Sequence, residues 1–438
     1  MKKIDFNKLN EYFDKEIEVS GFVDNIRNLQ YVIFIVLKDK YGKLQVTIEK
    51  NMEKNQELIK IVDDLTIDST VKIKGILKEN SKVKLNGMEL IPSSITVTSK
   101  AFMEQPINYK DLQNVLIDTR LDNRMLDLRN PKNALIFNVQ SLFVRDFRET
   151  LYNKGFMEIH TPKIIGAASE SGAEVFEVKY FDRAAYLAQS PQFYKQMAMA
   201  SGFEKIFEVA PVFRAENSNT NRHATEFTSF DVEFSFIDSY NDVMDLEEEM
   251  ITNALKRVHD VYGEQIKKEF NTEVIVPTCK FPRVTLTEAY KEFKERYGYV
   301  ARGEDLYDLS SEGEKLAYRL AKDKYNSEFI FITGYPANKR AFYHKRDENG
   351  ILLGYDLIWK GVEITSGAER ENRYEVIKKQ AEEKGLSKDV SFYLDFFKYG
   401  CPPHGGFGLG VDRFTMNLLN IPVKEAQFIF RGPNRLNP

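Results

Sequence analysis

Residues 213–233 read FRAENSNTNRHATEFTSFDVE, which sets Arg214, Arg222 and His223 among Glu216, Glu226, Asp231 and Glu233 around an asparagine-rich middle. A strand has a period of two. Read that way, FEVAPVFRAE puts Glu208, Ala210, Val212, Arg214 and Glu216 on one face and Phe207, Val209, Pro211 and Phe213 on the other. EFTSFDVEFSF divides likewise, with Phe227, Ser229, Asp231 and Glu233 opposite Phe230, Val232, Phe234 and Phe236. The pattern predicts a hairpin whose apolar side meets a core and whose other side is charged. That charged side has two readings. One is a solvated outer sheet face with surface ion pairs. The other is the polar floor of a ligand site, because charge is costly to bury unpaired. In the second reading the Arg214 fork holds a phosphate, and Arg222 and His223 close over further phosphates. Asp231 and Glu233 would receive an ammonium group or a metal, and Phe227 would carry a flat ring.

Composition bounds the class. The 438 residues suggest two or three domains. Charged residues at 29% and apolar ones at 42% fit a soluble globular enzyme. No apolar run approaches the roughly 20 residues of a membrane helix, and the mixed-charge start MKKIDFNKLNEYFDKE has no signal-peptide core. Cys279 and Cys401 are too few for a disulfide framework or a Cys-rich zinc site, so a reducing cytoplasm is expected. A net charge of −4 argues against bulk electrostatic binding of nucleic acid but leaves room for a local basic surface.

The first 100 residues are strand-rich, short and punctuated by Gly and Asn, which predicts a small closed barrel, an OB-fold first among the candidates and a plain all-β accessory domain beside it. This domain is expected over 1–102. A charged connector, TRLDNRMLDLRNPKN among it, is expected as a hinge over 103–133. A helix is predicted from about 134, with Gly155 as its stop. Strands are expected at 156–165, 174–189, 205–217, 225–237, near 350–365 and at 404–411, with helices at 239–262 and 366–385. Strands interleaved with helices without steady alternation predict an α+β domain, 134–438, on an antiparallel sheet.

Two further constellations carry chemistry. In HGGFGLGVDR, residues 404–413, Gly406, Gly408 and Gly410 alternate. A strand built so is bare on one face, which marks either close ligand approach or tight packing. With Arg413 at the next helix start, a planar base could lie between Phe227 and Arg413. In DLIWKGVEITSGAER, residues 356–370, Glu363 and Ser366 are expected to straddle a strand end and could bind a hard cation, with Arg370 near the following helix. Gln192 and Lys195 lie one helical turn apart in QSPQFYKQ. His160, His259 and His344 are scattered and read as structural, and no Ser/His/Asp arrangement is evident.

Taken in order, these segments resemble the class II aminoacyl-tRNA synthetases, the aspartyl enzymes of archaeal and eukaryotic type in particular. GFMEIHTPKI resembles motif 1, with Pro162 at the dimer interface the resemblance implies; FRAENSNTNRHATEFTSFDVE resembles motif 2, and GGFGLGVDRF motif 3. LAQSPQFYKQM, GVEITSGAER and KYGCPPHGGFGLG match the intervening segments, so the likeness spans the chain. It implies that ATP and L-aspartate give an adenylate whose acyl group passes to tRNA(Asp). Arg214 and Arg413 would carry the chemistry. ATP would meet Arg214, Glu216, Arg222, His223, Phe227, Glu363, Gly410 and Arg413. Mg2+ would sit on Glu363 and Ser366. The amino acid would meet Glu170, Ser190, Gln192, Lys195, Asp231, Ser366 and Arg370, with Lys195 and Arg370 on its side-chain carboxylate. Arg27, Phe34 and Gln45 would read the anticodon. Asp24 stands where stricter archaeal relatives carry tryptophan, which leaves tRNA(Asn) open as a second acceptor.

The chain also departs from the family pattern. Glu369 replaces the glutamine before Arg370, Ser171 a glycine, Asp412 a glutamate, and Gly432 an acid in the C-terminal tail. Glu369 is expected to bring an acid beside the carboxylate site. Three alternatives follow: an asparaginyl-tRNA synthetase, a non-catalytic RNA-binding paralogue, and an ammonia-dependent asparagine synthetase on the same catalytic domain.

Overall fold

The computed structural model describes residues 4–167, 174–217, 222–337, 340–386 and 388–438, in two compact units, Met1–Asn108 and Tyr109–Pro438. In the first, β1 (Glu16–Asn28), β2 (Val32–Lys38), β3 (Lys43–Glu49), β4 (Thr70–Glu79) and β5 (Met88–Ser99) close into a barrel of order β1-β2-β3-β5-β4. Helix α1 (Gln56–Asp63) precedes β4. Alternate residues point inward, so Ile33, Ile35, Leu37, Leu44, Val46 and Ile48 are fully buried while Val32, Phe34, Val36, Gln45 and Thr47 keep to the outer side.

The second unit carries two short helices and a long one before its sheet: α2 (Ile117–Asp122), α3 (Arg124–Asp127) and the long α4 (Pro131–Asn153). Strands β6 (Met157–Glu158), β7 (Ile164–Ile165), β8 (Glu177–Tyr180) and β9 (Arg183–Leu187) follow, then α5 (Gln192–Ala200), β10 (Lys205–Phe213), β11 (Glu226–Ser235) and α6 (Tyr240–Phe270). Next come β12 (Arg283–Thr285), α7 (Leu286–Tyr297), α8 (Ser311–Tyr325), β13 (Phe329–Thr333), β14 (Gly354–Trp359) and β15 (Val362–Glu369). The chain ends with α9 (Tyr374–Glu383), α10 (Ser391–Leu394), β16 (His404–Gly410), α11 (Val411–Leu419) and α12 (Val423–Ala426). Eight strands form one sheet of order β12-β13-β14-β15-β16-β11-β10-β6, antiparallel except at its two ends. The order β7-β9-β8 forms a small second sheet.

Helices α4 and α6 form because their apolar residues recur every three or four positions. Asn130 caps α4 by accepting from the Lys132 N–H, with Pro131 at its first position, and Ser239 with Asp242 makes a capping box for α6. Their stripes, Ile136, Val139, Phe143 and Phe147 with Met250, Ile251, Ala254 and Leu255, pack on Phe230, Val232, Phe407 and Leu409. Those four are the apolar sides of β11 and β16, so the opposite, polar sides of the two strands face the site.

Several expectations change. The hinge expected over 103–133 is largely integral to the two units. Gln105 donates to Asp68 on the barrel at 2.6 Å, and Arg124 donates to the carbonyls of Gln427 and Phe428 at 2.8 and 3.0 Å within the second unit. The helix expected over 366–385 is only Tyr374–Glu383, because β15 runs on to Glu369 between β14 and β16. Phe236 leaves the core face, since β11 ends at Ser235 and Phe236 turns out at φ 60°. Helices α7 and α8, not anticipated, cover the outer part of the sheet's other face through Ala289, Phe293, Ala317 and Leu320.

Behind β15, the buried Glu247 of α6 accepts from the Tyr355 hydroxyl at 2.7 Å. Gly367 makes room for that ring, since a Cβ there would lie 2.4 Å from it. Burial pushes the Glu247 carboxyl from 4.5 up to about 8. The folded protein therefore holds a proton that the unfolded chain releases near pH 4.5. The stability tied to that proton is full below this pH and drains as pH rises through 8. Glu247→Gln copies the protonated form, so its melting temperature relative to wild type should rise between pH 6 and pH 9. An equal offset at both pH values contradicts the assignment.

Candidate active site

One cavity of about 330 Å3 opens on the polar side of β10, β11, β15 and β16. It gathers Ser190, Gln192, Lys195, Arg214, Glu216, Arg222, His223, Phe227, Asp231, Glu363, Ser366, Arg370, Gly410 and Arg413. These come from segments nearly 225 residues apart in sequence, as the chain order from Ser190 to Arg413 shows. Glu170 and Ser171 lie outside the described residues. Gln189, Ser229, Arg340, Tyr343, His344 and Asp412 also line the cavity and are not among the expected site residues; the sequence placed Ser229 on the charged strand face, Asp412 among the departures from the family pattern and His344 as structural.

At one end the charges are buried and paired. Lys195 of α5, 1% exposed, reaches Asp231 at 3.0 Å and Glu233 at 3.2 Å. Arg370 donates to Glu233 at 3.0 Å and to the Gly406 carbonyl at 3.0 Å. Arg370 and Lys195 hold the Glu233 carboxyl below its usual range despite burial. Ser229 donates to Asp231 at 2.6 Å. Gln192 is set by a relay: it donates to Gln196 (2.9 Å), which contacts the His404 Nε2 (3.0 Å), while the other ring nitrogen meets the Pro402 carbonyl (2.8 Å). That carbonyl can only accept, so His404 carries its proton on Nδ1.

The alternating glycines divide between two tasks. A Cβ on Gly406 would lie 2.0 Å from the Val232 carbonyl and 2.4 Å from Glu233, so this glycine makes room for the buried ion network. At Gly410 the nearest atom is the Arg413 Cβ at 3.4 Å, which leaves an open slot. Tight packing, one of the two readings of HGGFGLG, thus holds at Gly406, while the strand is open at Gly410.

The other end is cationic. The Arg214 guanidinium lies 5.4 Å from the centre of the Phe227 ring, and Arg214 and His223 approach Glu216 at 3.9 and 3.8 Å. Burial and the charges of Arg413, Arg222 and Arg214 keep His223 neutral at physiological pH. Arg222 bonds Glu314 at 2.7 Å and Ser311 at 2.6 Å, and Arg413 bonds the Glu363 carbonyl at 2.9 Å.

Glu363 and Ser366 do not straddle a strand end. Both lie inside β15, where Leu357 pairs with Thr365 but the adjoining Ile358 pairs with Glu363. The extra residue is a β-bulge, and it turns residues three apart to the same face. Burial, with Asp356 nearby, pushes Glu363 up to about 7. Asp356 itself is gripped by Arg340. A carboxyl strained this way, with a hydroxyl beside it, suits a hard cation that brings its other oxygens from waters and phosphates. Among the described residues no cluster of three or more His, Cys, Asp or Glu forms a metal cage.

The departures have local explanations. Glu369 does not enter the cavity; its carboxylate is held by Lys345. The expectation of an added acid at the carboxylate site is therefore corrected. Gly432 leaves room for the Phe430 ring, 2.8 Å from where a Cβ would stand. Asp412 accepts from the Thr228 N–H at 3.1 Å and from Gln427 at 2.8 Å, and burial pushes its carboxyl up to about 6.

On the barrel, Arg27 pairs with Phe34 and Phe34 with Thr47, and Gln45 donates to Thr47 at 3.3 Å. These residues thus meet on one outer face, with Phe34 half-buried and Arg27 exposed.

The pairing of Glu369 with Lys345 can be tested by stability. Lys345→Ala leaves a buried carboxylate alone and should cost about 2 kcal/mol or more. Glu369→Gln, which removes the charge with it, should stay within about 1 kcal/mol of wild type in denaturant unfolding.

Residues 116–428 match the family described as tRNA synthetases class II (D, K and N), and residues 17–98 match the OB-fold nucleic acid binding domain. The chain is 41% identical over 428 residues to the Aspartate--tRNA(Asp) ligase of Pyrococcus horikoshii, covering 97% of this chain and 96% of the relative. It is 40% identical over 431 residues to the Aspartate--tRNA(Asp/Asn) ligase of Methanocaldococcus jannaschii, covering 97% and 95%. Among solved structures, asparaginyl-tRNA synthetase from Pyrococcus horikoshii with asparaginyl-adenylate aligns at a TM-score of 0.89 and 29% identity, covering 100% of both chains. Aspartyl tRNA synthetase from Entamoeba histolytica aligns at 0.85 and 32% identity, covering 100% of this chain and 93% of that one.

Proposed function

The chain belongs to the class II tRNA synthetases (D, K and N), and on that premise we propose that it activates L-aspartate with ATP and transfers it to tRNA(Asp). In the first step an oxygen of the substrate's α-carboxylate bonds to the α-phosphorus of ATP. The bond to the β-phosphate bridge breaks, and pyrophosphate leaves with its electrons. In the second, a hydroxyl of the terminal tRNA ribose attacks the acyl carbon and gives up its proton, and AMP leaves with the electrons of the acyl–phosphate bond. Positioning and charge stabilisation are the enzyme's share of both steps.

The observation that carries the choice of aspartate is the buried charge network. Lys195, almost sealed from water, has Asp231 and Glu233 as its acidic partners. The substrate's ammonium, received by Asp231 and Ser190, competes for the acid that Lys195 holds. A side-chain carboxylate on Lys195 and Arg370, with Gln192 beside it, restores the balance. Asparagine offers no such charge, and a buried ammonium left short of a partner costs several kcal/mol. Glu369 does not weigh against this choice, because Lys345 takes its charge.

At the other end Arg214 would neutralise the α-phosphate, Arg222, His223 and Arg413 would hold the outer phosphates, Phe227 would stack adenine and Glu216 would read its amino group. Class II synthetases generally use ATP with Mg2+; Glu363 and Ser366 would hold that ion. When bound, it neutralises phosphate charge. Glu170 would cover the amino acid. Anticodon bases would stack on Phe34 beside Arg27 and Gln45. Residues 155–164, with Pro162 among them and with Met157 and Ile164 about half exposed, would join two copies as a homodimer.

Transfer to tRNA(Asn) is a second reading, favoured by Asp24. That side chain is tied to Lys43 at 2.6 Å, so it is a small held acid where stricter relatives carry a large ring.

Three measurements test these readings. ATP–pyrophosphate exchange should occur with aspartate and not asparagine, and the reverse result overturns the choice of substrate. Charging of purified tRNA(Asp) and tRNA(Asn) with labelled aspartate decides the acceptor. Phe34→Ala should raise the KM for tRNA about tenfold while leaving exchange unchanged, since one stacked base contributes about 1–3 kcal/mol.

A further inference from the structure

Of the described residues lining the cavity, only Arg340 and His344 carry a sealed polar atom without a partner, Nε and Nδ1 respectively. Arg340 spends its remaining nitrogens on Asp308 and Asp356. His344 is different: among the described residues no hydrogen bond reaches its ring, which packs nearly perpendicular to the Tyr343 ring with centres 4.9 Å apart. Its backbone is fixed, by an antiparallel bridge to Arg370 and by the Gln380 amide on its carbonyl at 3.0 Å. Partners in such a bridge set their side chains to the same side. His344 therefore stands beside Arg370, whose guanidinium meets Glu233 in the buried network. Burial and the charges of Arg370, Arg340 and Lys195 hold the imidazole well below its ordinary range, so it is neutral. A neutral imidazole keeps one N–H and one lone pair. With Nδ1 sealed, Nε2 is the nitrogen left to face a ligand.

We propose that His344 is a specificity-determining residue of the amino-acid subsite, its Nε2–H donating to a side-chain carboxylate oxygen of the substrate beside Lys195 and Arg370. A carboxylate has about four lone-pair positions, more than two cations fill. A neutral donor adds a contact without a third positive charge in the same cleft. The inference rests on the aspartate reading.

The test is ATP–pyrophosphate exchange by the full-length chain as wild type, H344A, H344N and H344Q. The side-chain amide of glutamine reaches the position of Nε2, whereas that of asparagine stops at that of Nδ1. H344A and H344N should raise the KM for aspartate about tenfold or more, the size of a lost hydrogen bond to a charged group. H344Q should stay within about threefold of wild type. The KM for ATP and the rate at saturating aspartate should not change in any variant. If H344A fails to fold, the contrast of H344Q with H344N decides. The proposal is overturned if the two amide variants behave alike, if H344A retains the wild-type KM, or if the KM values for ATP and aspartate rise together. Absence of exchange by wild type with aspartate overturns the substrate reading first. Exchange by wild type with indifferent variants overturns the role of His344 alone.

Discussion

Lys195 is the constraint on which the second unit depends. An ammonium 1% exposed needs partners on every open side. It finds Asp231 and Glu233, with the carbonyls of Val232 and Phe407 near 3.5 and 3.4 Å. Glu233 in turn needs Arg370, and Arg370 needs the bare Gly406 beside it. Four elements, α5, β11, β15 and β16, are thereby fixed relative to one another by charge as well as by the apolar core behind the sheet. Removing one member of such a network strands the rest, so these side chains specify one arrangement.

The two ends of the cavity differ in how charge is balanced. At the Lys195 end two cations meet two acids, and a ligand can bind only by exchanging partners. At the Arg214 end the pairs are looser: Arg214 lies 3.9 Å from Glu216 and Arg413 3.9 Å from a Glu363 carboxylate oxygen, while Arg222 is held by Glu314. Arginines so loosely paired suit a ligand of high negative charge. Glu363, pushed up to about 7, lies at the cationic end yet is not fully relieved by it, because burial, then Asp356 and to a lesser degree Glu314, oppose its charge. The bulge in β15 is what holds this carboxyl and Ser366 together on the cavity side.

Much of this was legible in the sequence because strand periodicity survives in it. The apolar faces of β10 and β11 were readable to Phe234, and failed at Phe236, where a positive φ turns the chain out. The barrel strands were legible for the same reason. The bulge was not, since one extra residue in a strand leaves no mark in the alternation and inverts the faces beyond it. The early end of α9 was hidden because Thr365–Glu369 has no strong strand composition; its pairing is decided by neighbours far away in sequence. Helices α7 and α8 had readable signals, Thr285 with Glu288 as a capping box and Ser310 as a cap. Arg340 and His344 had none, because their meaning lies in Asp356 and Arg370, which only the fold brings near.

The departures from the family pattern test whether an altered letter means an altered site. Glu369 alone would add a charge next to Arg370, but its side chain leaves on the opposite side of the strand from Arg370 and finds Lys345. Two residues must therefore be read as one unit, and their net charge equals that of the neutral glutamine the family pattern carries. Asp412 is shorter than glutamate, and Gln427 and the Thr228 N–H come to it from separate segments. Gly432 makes room for the Phe430 ring. In each case the altered residue has a partner or a packing reason within its own neighbourhood. A sequence comparison counts such substitutions singly, whereas electrostatics conserves the sum over a neighbourhood. Function can therefore persist where individual letters differ, provided the compensating partner lies within hydrogen-bond reach.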